Sequence, residues 1–256
     1  KIISILLLIV AIIGLVTTYI VNDNIREFID TKVLKKEISD DSVKNIYTNS
    51  SIIQTMALGK NIVTLSSGEL KVYDFEGNNK NTIKMKIGNP IYDIEDRYMG
   101  IADKNVTKIY LIDDDKLAWE KTLDVTVEKI KVNKNGYMVV VTKDSVYKSV
   151  VSVYSNKGEL LFKSYVSNGY VIDTEISPDN NYLETFTEST VKVIDVKKAI
   201  KAEEGSLINT FVKDKLLVNL KIKENNNILA QYSDSIVNIG YTDKTNKEIY
   251  TLQNVY

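Results

Sequence analysis

Five times along the chain a β-branched apolar run closes on a small or acidic residue, and the runs recur at a nearly fixed interval. They are Leu70-Lys-Val-Tyr-Asp74, Ile109-Tyr-Leu-Ile-Asp113, Val151-Ser-Val-Tyr-Ser155, Val191-Lys-Val-Ile-Asp195 and Ile236-Val-Asn-Ile-Gly240. The first four end at positions 74, 113, 155 and 195, which are 39, 42 and 40 residues apart, and the last interval is slightly longer. A β-sandwich gives no reason for such a cassette to repeat, and the coils of a parallel β-helix are shorter.

Each interval has room for four strands. A first strand ends near Ile94, Val132, Ile176 and Ile222, and a polar turn follows: Glu95-Asp-Arg97, Asn133-Lys-Asn-Gly136, Ser177-Pro-Asp-Asn-Asn181 and Glu224-Asn-Asn-Asn227. Asn, Asp, Gly and Pro suit such turns because they accept positive φ or preset it. Second strands are expected at 98–102, 137–142, 182–187 and 228–232, and fourth strands at 82–86, 117–122, 160–164, 207–211 and 248–252. A leading unit starts near Ile52. Four strands per repeat of about forty residues is the period of a β-propeller blade. The expected fold is therefore all-β, about five four-stranded blades over residues 51–256, with a short helical insert in Val196–Glu204.

The N-terminus follows a different rule. Residues 2–21 read IISILLLIVAIIGLVTTYIV, without a charge. Twenty residues at 1.5 Å each span the hydrocarbon core of a bilayer, and Tyr19 suits an interfacial position. No small-x-small cleavage site follows, so an uncleaved transmembrane helix at 1–21 is expected, with the lipid bilayer as its partner. Residues 22–50 form a juxtamembrane stalk and connector. Positive charges at Arg26, Lys32, Lys35 and Lys36 would by themselves favour a cytoplasmic soluble part.

Composition narrows the chemistry. The chain has no His and no Cys, which removes imidazole bases, Ser-His and Cys-His nucleophiles, ordinary zinc sites and disulfides. A formal charge of -1 without a basic stripe argues against nucleic acid as a partner. No cofactor or metal site is expected.

Ile176-Ser-Pro-Asp-Asn-Asn-Tyr-Leu183 resembles the S-P-D-G-x-x-L hairpin of WD-repeat-like propellers, with Asn180 where Gly is usual. With the N-terminal span, the whole layout resembles a bacterial membrane-anchored family of unknown function carrying PQQ-like or WD-like blades after one span. The resemblance implies an extracytoplasmic domain at the cell membrane, and more blades than five, with further strands beyond Tyr256. It carries over no catalytic or binding residue.

Asp93, Asp124 and Asp173 lie near the starts of inferred first strands, where they would face a central channel. Carboxylates about 5–10 Å apart there would suit glycoside hydrolysis. The plainer expectation is that they cap turns. Asp113-Asp114-Asp115 lacks the alternating spacing of calcium loops and reads as a solvated hairpin. Trp119, the only Trp, is expected to pack on the outer face. The function expected is thus non-enzymatic: a membrane-anchored interaction or scaffold module that binds a protein or cell-envelope component. A carbohydrate-active enzyme and a sensor coupled through the helix are the alternatives.

Overall fold

The computed structural model describes residues 12–14, 16–22, 25, 29, 33, 52–104, 106–223, 227–241 and 246–251. The chain divides into two units, residues 1–46 and 47–256. In the first, residues 12–14 and 16–21 are helical. Among the described residues no helix is long and apolar enough to cross a membrane. Residues 1–11, Leu15 and most of the expected 22–50 connector lie outside the described residues.

The second unit holds five four-stranded antiparallel sheets, each formed by four consecutive strands in chain order. Sheet 1 contains β1 (Ile52–Leu58), β2 (Asn61–Ser66), β3 (Glu69–Tyr73) and β4 (Asn79–Lys84). Sheet 2 contains β5 (Pro90–Glu95), β6 (Tyr98–Asp103), β7 (Val106–Asp113) and β8 (Lys116–Thr122). In sheet 3 these are β9 (Val127–Val132), β10 (Met138–Thr142), β11 (Ser149–Tyr154) and β12 (Leu160–Val166). Sheet 4 has β13 (Asp173–Ile176), β14 (Tyr182–Phe186), β15 (Thr190–Asp195) and β16 (Leu207–Val212). Sheet 5 has β17 (Leu217–Lys223), β18 (Asn227–Tyr232), β19 (Ser235–Gly240) and β20 (Asn246–Thr251). The expected helical insert is one turn, Val196–Ile200, whose first amides are capped by Asp195 through Lys198 N.

The sheets stack face to face, and four apolar clusters fill the four interfaces between them. Because side chains alternate along a strand, each central strand serves two interfaces. In β6, Met99 and Ile101 join the cluster shared with sheet 1, while Ala102 joins the one shared with sheet 3. In β10, Met138 and Val140 pack toward sheet 2, and Val139 and Val141 toward sheet 4. In β14, Leu183 faces sheet 3 and Phe186 faces sheet 5. Two-sided burial explains why β10, Met138-Val-Val-Val141, reads as an unbroken apolar run rather than an alternating one. Sheets 2 and 3 approach closely at Gly100 in β6, since a Cβ there would fall 2.7 Å from Val132.

One hairpin design recurs. At Asp74, Asn133, Ser155 and Ser177 the backbone carbonyl accepts from the amide three residues on: Gly77, Gly136, Gly158 and Asn180, at 2.9–3.0 Å. Each donor is left-handed, with φ of 79°, 77°, 79° and 60°. The side-chain oxygen of the first residue then accepts a second amide, from Asn78, Tyr137, Glu159 and Tyr182. Asn180 therefore takes the glycine place because Asn tolerates this conformation. Gly136 has a further reason to lack a side chain, because its Cβ would lie 2.6 Å from the Tyr98 ring.

The Asp113–Asp115 run forms the β7–β8 hairpin, as expected. Asp113 pairs with Arg97, and Asp114 accepts from Asn61 Nδ2. Trp119 corrects the expectation of outer-face packing. It stands opposite Leu111 in the β7–β8 register, so it shares the face turned to sheet 3. There it meets Tyr154 at 6.0 Å between ring centroids and lies against Gly158.

The Ser177 hairpin tests this register. Ile176 is buried in the interface of sheets 3 and 4. Asp179 accepts from Ser177 Oγ at 2.6 Å and from Asn181 N at 3.0 Å in an exposed turn. Ile176→Asp should cost at least about 3 kcal/mol, by losing apolar burial and stranding a carboxylate. Asp179→Ala should cost about 0.5–2 kcal/mol. Thermal melts of the purified variants compare the two, and equal small losses would contradict the stacking.

Candidate functional site

The first strands of sheets 2, 3 and 4 carry charges at alternate positions. They read Asp93-Ile-Glu95 in β5, Lys129-Ile-Lys131 in β9 and Asp173-Thr-Glu175 in β13. Residues two apart point the same way on a strand, so the fold sets an acidic, a basic and an acidic pair beside one another. Lys131 is the hub. Its Nζ lies 3.8 Å from Asp93, 3.8 Å from Asp173 and 3.7 Å from Glu175. Lys129 pairs with Asp173 at 3.3 Å and also donates to the Ile172 carbonyl. Asp93 Oδ2 accepts from Val132 N at 2.8 Å, which ties β5 to β9 through a side chain.

Asp93, Glu95, Lys131 and Glu175 line a cavity of about 360 Å³ with Val132, Asn133, Lys134, Ile176, Pro178 and Leu220. Its rim is held by a turn-to-turn network. Asn133 Nδ2 donates to Ser177 O and to Asn180 Oδ1, and Asn135 Nδ2 donates to Pro178 O. The β9–β10 and β13–β14 hairpins are thus fixed to each other by their own turn residues.

Electrostatics follow from half-burial of like charges. Burial pushes the Asp93 carboxyl above its ordinary value, against the Val132 amide and Lys131, with Asp173 and Glu95 adding to the rise. Burial raises Glu175 too, opposed by Lys131 and reinforced by Asp173 and Asp93. For Lys131 burial works to lower the value, but the surrounding carboxylates outweigh it and the net direction is up. Behind the cavity, Glu184 stands opposite Glu175 in the β13–β14 register and is fully buried. Burial pushes it well above the carboxylate range, opposed by the Tyr241 hydroxyl and reinforced by Glu175. Tyr241 lies close by, but neither Oε atom has a hydrogen bond of good geometry. Burial therefore favours the neutral form of Glu184.

Of the three expected carboxylates, the structure brings two together. Asp93 and Asp173 flank one ammonium, so they lie no farther apart than twice 3.8 Å. Asp124 corrects the expectation. It precedes β9, which starts at Val127, and lines a separate groove with Val125, Lys143 and Asp144. The strand register fails there because residues 123–126 are loop. Glu95, Lys129, Lys131 and Glu175 were not singled out from the sequence. The signal for them was the same-parity charge pair in successive first strands. Among the described residues no group of three or more His, Cys, Asp or Glu is arranged to hold a metal ion.

Residues 34–254 match a family described as a family of unknown function (DUF5711). No curated protein matches the sequence. Among solved structures, the chain is similar to the β-propeller domain of Myceliophteria thermophila Cps50 (Swd1), at 12% identity and a TM-score of 0.52. It is also similar to the Neurospora crassa Pan2 WD40 domain, at 13% and 0.53, and to Kluyveromyces lactis Hsv2, at 13% and 0.57. The matches cover 77%, 79% and 86% of this chain, and 67%, 66% and 77% of theirs. The chain thus spans about two thirds of the length of the first two. At this identity the likeness establishes the fold: the stacked sheets are a β-propeller arrangement.

The hub makes a pH-dependent prediction. Asp93 and Glu175 already bind protons more tightly folded than unfolded, so they lower stability as pH rises through the carboxylate range. Lys131 has the same sign in a far more alkaline range: its stabilisation is full below the ordinary lysine value and is lost as pH rises through the raised one, so it is intact at neutral pH. Lys131→Met removes the opposing charge, and the carboxylates should then rise further. The variant should lose about 1–3 kcal/mol at pH 7.5 and much less near pH 4. Denaturant titrations at the two pH values check this, and a pH-independent deficit would contradict it.

Proposed function

The chain belongs to DUF5711, a family of unknown function, and we propose that it is an interaction module held at the membrane, with a propeller face that binds a protein or cell-envelope component outside the cytoplasm. The observation that carries the binding reading is the interlocked rim of the inner-strand cavity. Asn133, Asn135, Pro178 and Asn180 fix two hairpins against each other, so a partner would meet a preorganised surface at little ordering cost. The charged groups below that rim are engaged in holding sheets together.

Support for the anchor comes from the helical residues of the first unit. Ile12, Ile13, Val16, Ile20 and Val21 are each more than half exposed, an apolar surface that water does not favour. Thr17 and Thr18 turn their hydroxyls onto the carbonyls of Ile13 and Gly14, which hides their polarity within the helix. The carbohydrate-active alternative draws on the closeness of Asp93 and Asp173. Against it, Lys131 occupies the space between them and Asp93 is committed to the Val132 amide.

A photo-crosslinking residue in place of exposed Lys134, in the full chain in its native membrane, tests the reading. A discrete crosslinked partner is expected, lost when protease is first added to wall-stripped cells. No adduct, or an adduct and a β unit that the protease leaves intact, would contradict respectively the binding face and the orientation.

A further inference from the structure

Between the outer edges of sheets 1 and 2 runs a second opening, a groove of about 620 Å³. Its floor is apolar. Met85 and Tyr110, both nearly fully buried, close it from the two sheets. The β7–β8 register sets Lys108 opposite Thr122 and Tyr110 opposite Glu120, so these four side chains share the face turned to sheet 1. Sheet 1 contributes Lys84 and Lys86, which project from alternate positions around Met85.

The charge of this groove is unbalanced. Glu120 is spent on Lys108, at 2.9 Å. Glu69, the register partner of Lys84, pairs instead with Lys71 at 2.8 Å. Lys84 and Lys86 are exposed and make no ion pair among the described residues. The corresponding groove between sheets 2 and 3 differs, because there Lys121, Lys143 and Lys163 are accompanied by Asp124 and Asp144. Of these two grooves, the first thus joins an apolar floor to two lysines that have no acidic partner among the described residues.

We propose that the groove between sheets 1 and 2 docks an acidic segment of a partner protein, with one apolar side chain seated on Met85 and Tyr110 and flanking carboxylates at Lys84 and Lys86. The inference rests on the interaction-module reading and names the chemistry of the partner. A protein segment fits better than a purely charged polymer because the groove sets an apolar seat, Met85 and Tyr110, beside its lysines, and a polyanion has no apolar side chain to fill that seat. Exposed lysines beside that seat give specificity and speed to the encounter.

Gly68 provides a steric test. It lines the groove, has no left-handed φ, and a Cβ built on it meets nothing within 4 Å. Gly68→Phe should therefore fill the groove without straining the fold. The probe is a fluorescent peptide of about eight residues with two Leu flanked by Glu, compared with its Lys-for-Glu counterpart, against the detergent-solubilised full chain. Fluorescence anisotropy should show binding of the acidic peptide alone. That binding should weaken roughly tenfold or more in Gly68→Phe and in the Lys84→Glu/Lys86→Glu double variant, and be unchanged in Lys157→Glu, an exposed turn position in sheet 3. Equal binding of both peptides, or indifference to both groove changes, would overturn the proposal. Competition by phosphatidylglycerol vesicles lacking peptide would overturn it too, in favour of a lipid surface. Crosslinking through Lys134 separates the two levels of the account: an adduct there without peptide binding defeats only the groove, whereas loss of both defeats the interaction reading.

Discussion

Everything in the β unit depends on burial of the central strands from both sides. A four-stranded antiparallel sheet with two apolar faces is not stable in water by itself, since each face needs a cover. Here the cover is the next sheet, so Val139 and Val141 serve one interface while Met138 and Val140 serve the other. Each fully buried Val or Leu contributes roughly 1.5–3 kcal/mol, and a sheet removed from the stack would expose two such faces. The edges of the sheets are under weaker demand. Fourth strands such as β8 and β12 have mostly exposed or half-exposed side chains.

Stacking also dictates where charge can go. Inner strands are crowded by their neighbours, so carboxylates and ammonium groups placed there must neutralise one another across sheets. Lys131 does this for three carboxylates at once. Glu184, one strand farther out, has no ammonium partner among the described residues, and burial favours its neutral form. Toward the outer edges side chains are more exposed, so Lys84 and Lys86 can go without an ion pair among the described residues, over an apolar floor. The same geometry thus produces a neutralised cavity at the inner strands and a charged groove at the rim of sheets 1 and 2.

The architecture was legible in the sequence because its signal is repeated. An error in one strand is corrected by four others at the same spacing, and the turns announce themselves through Asn133, Ser177 and Gly136. Even the departure at Asn180 could be read as a glycine substitute. The site was less legible because it is assembled from single strands in three different sheets. Asp173 could be recognised one at a time, but its relation to Lys131 depends on how far β9 and β13 slide past each other. Asp124 was misplaced for the same reason: a strand start moved by a few residues takes a side chain out of the cavity. Trp119 went astray by face, which a one-residue change of parity decides.

The stack itself is the claim on which the rest stands, and native-state hydrogen exchange on the β unit tests it most directly. Amides of the central strands (β6 and β7, β10 and β11, β14 and β15) should be the slowest to exchange, at similar levels in the three interior sheets. The first and fourth strands of each sheet should exchange faster. Protection concentrated in the fourth strands, or confined to one sheet while its neighbours exchange freely, would contradict an array in which each interior sheet is held by the two beside it.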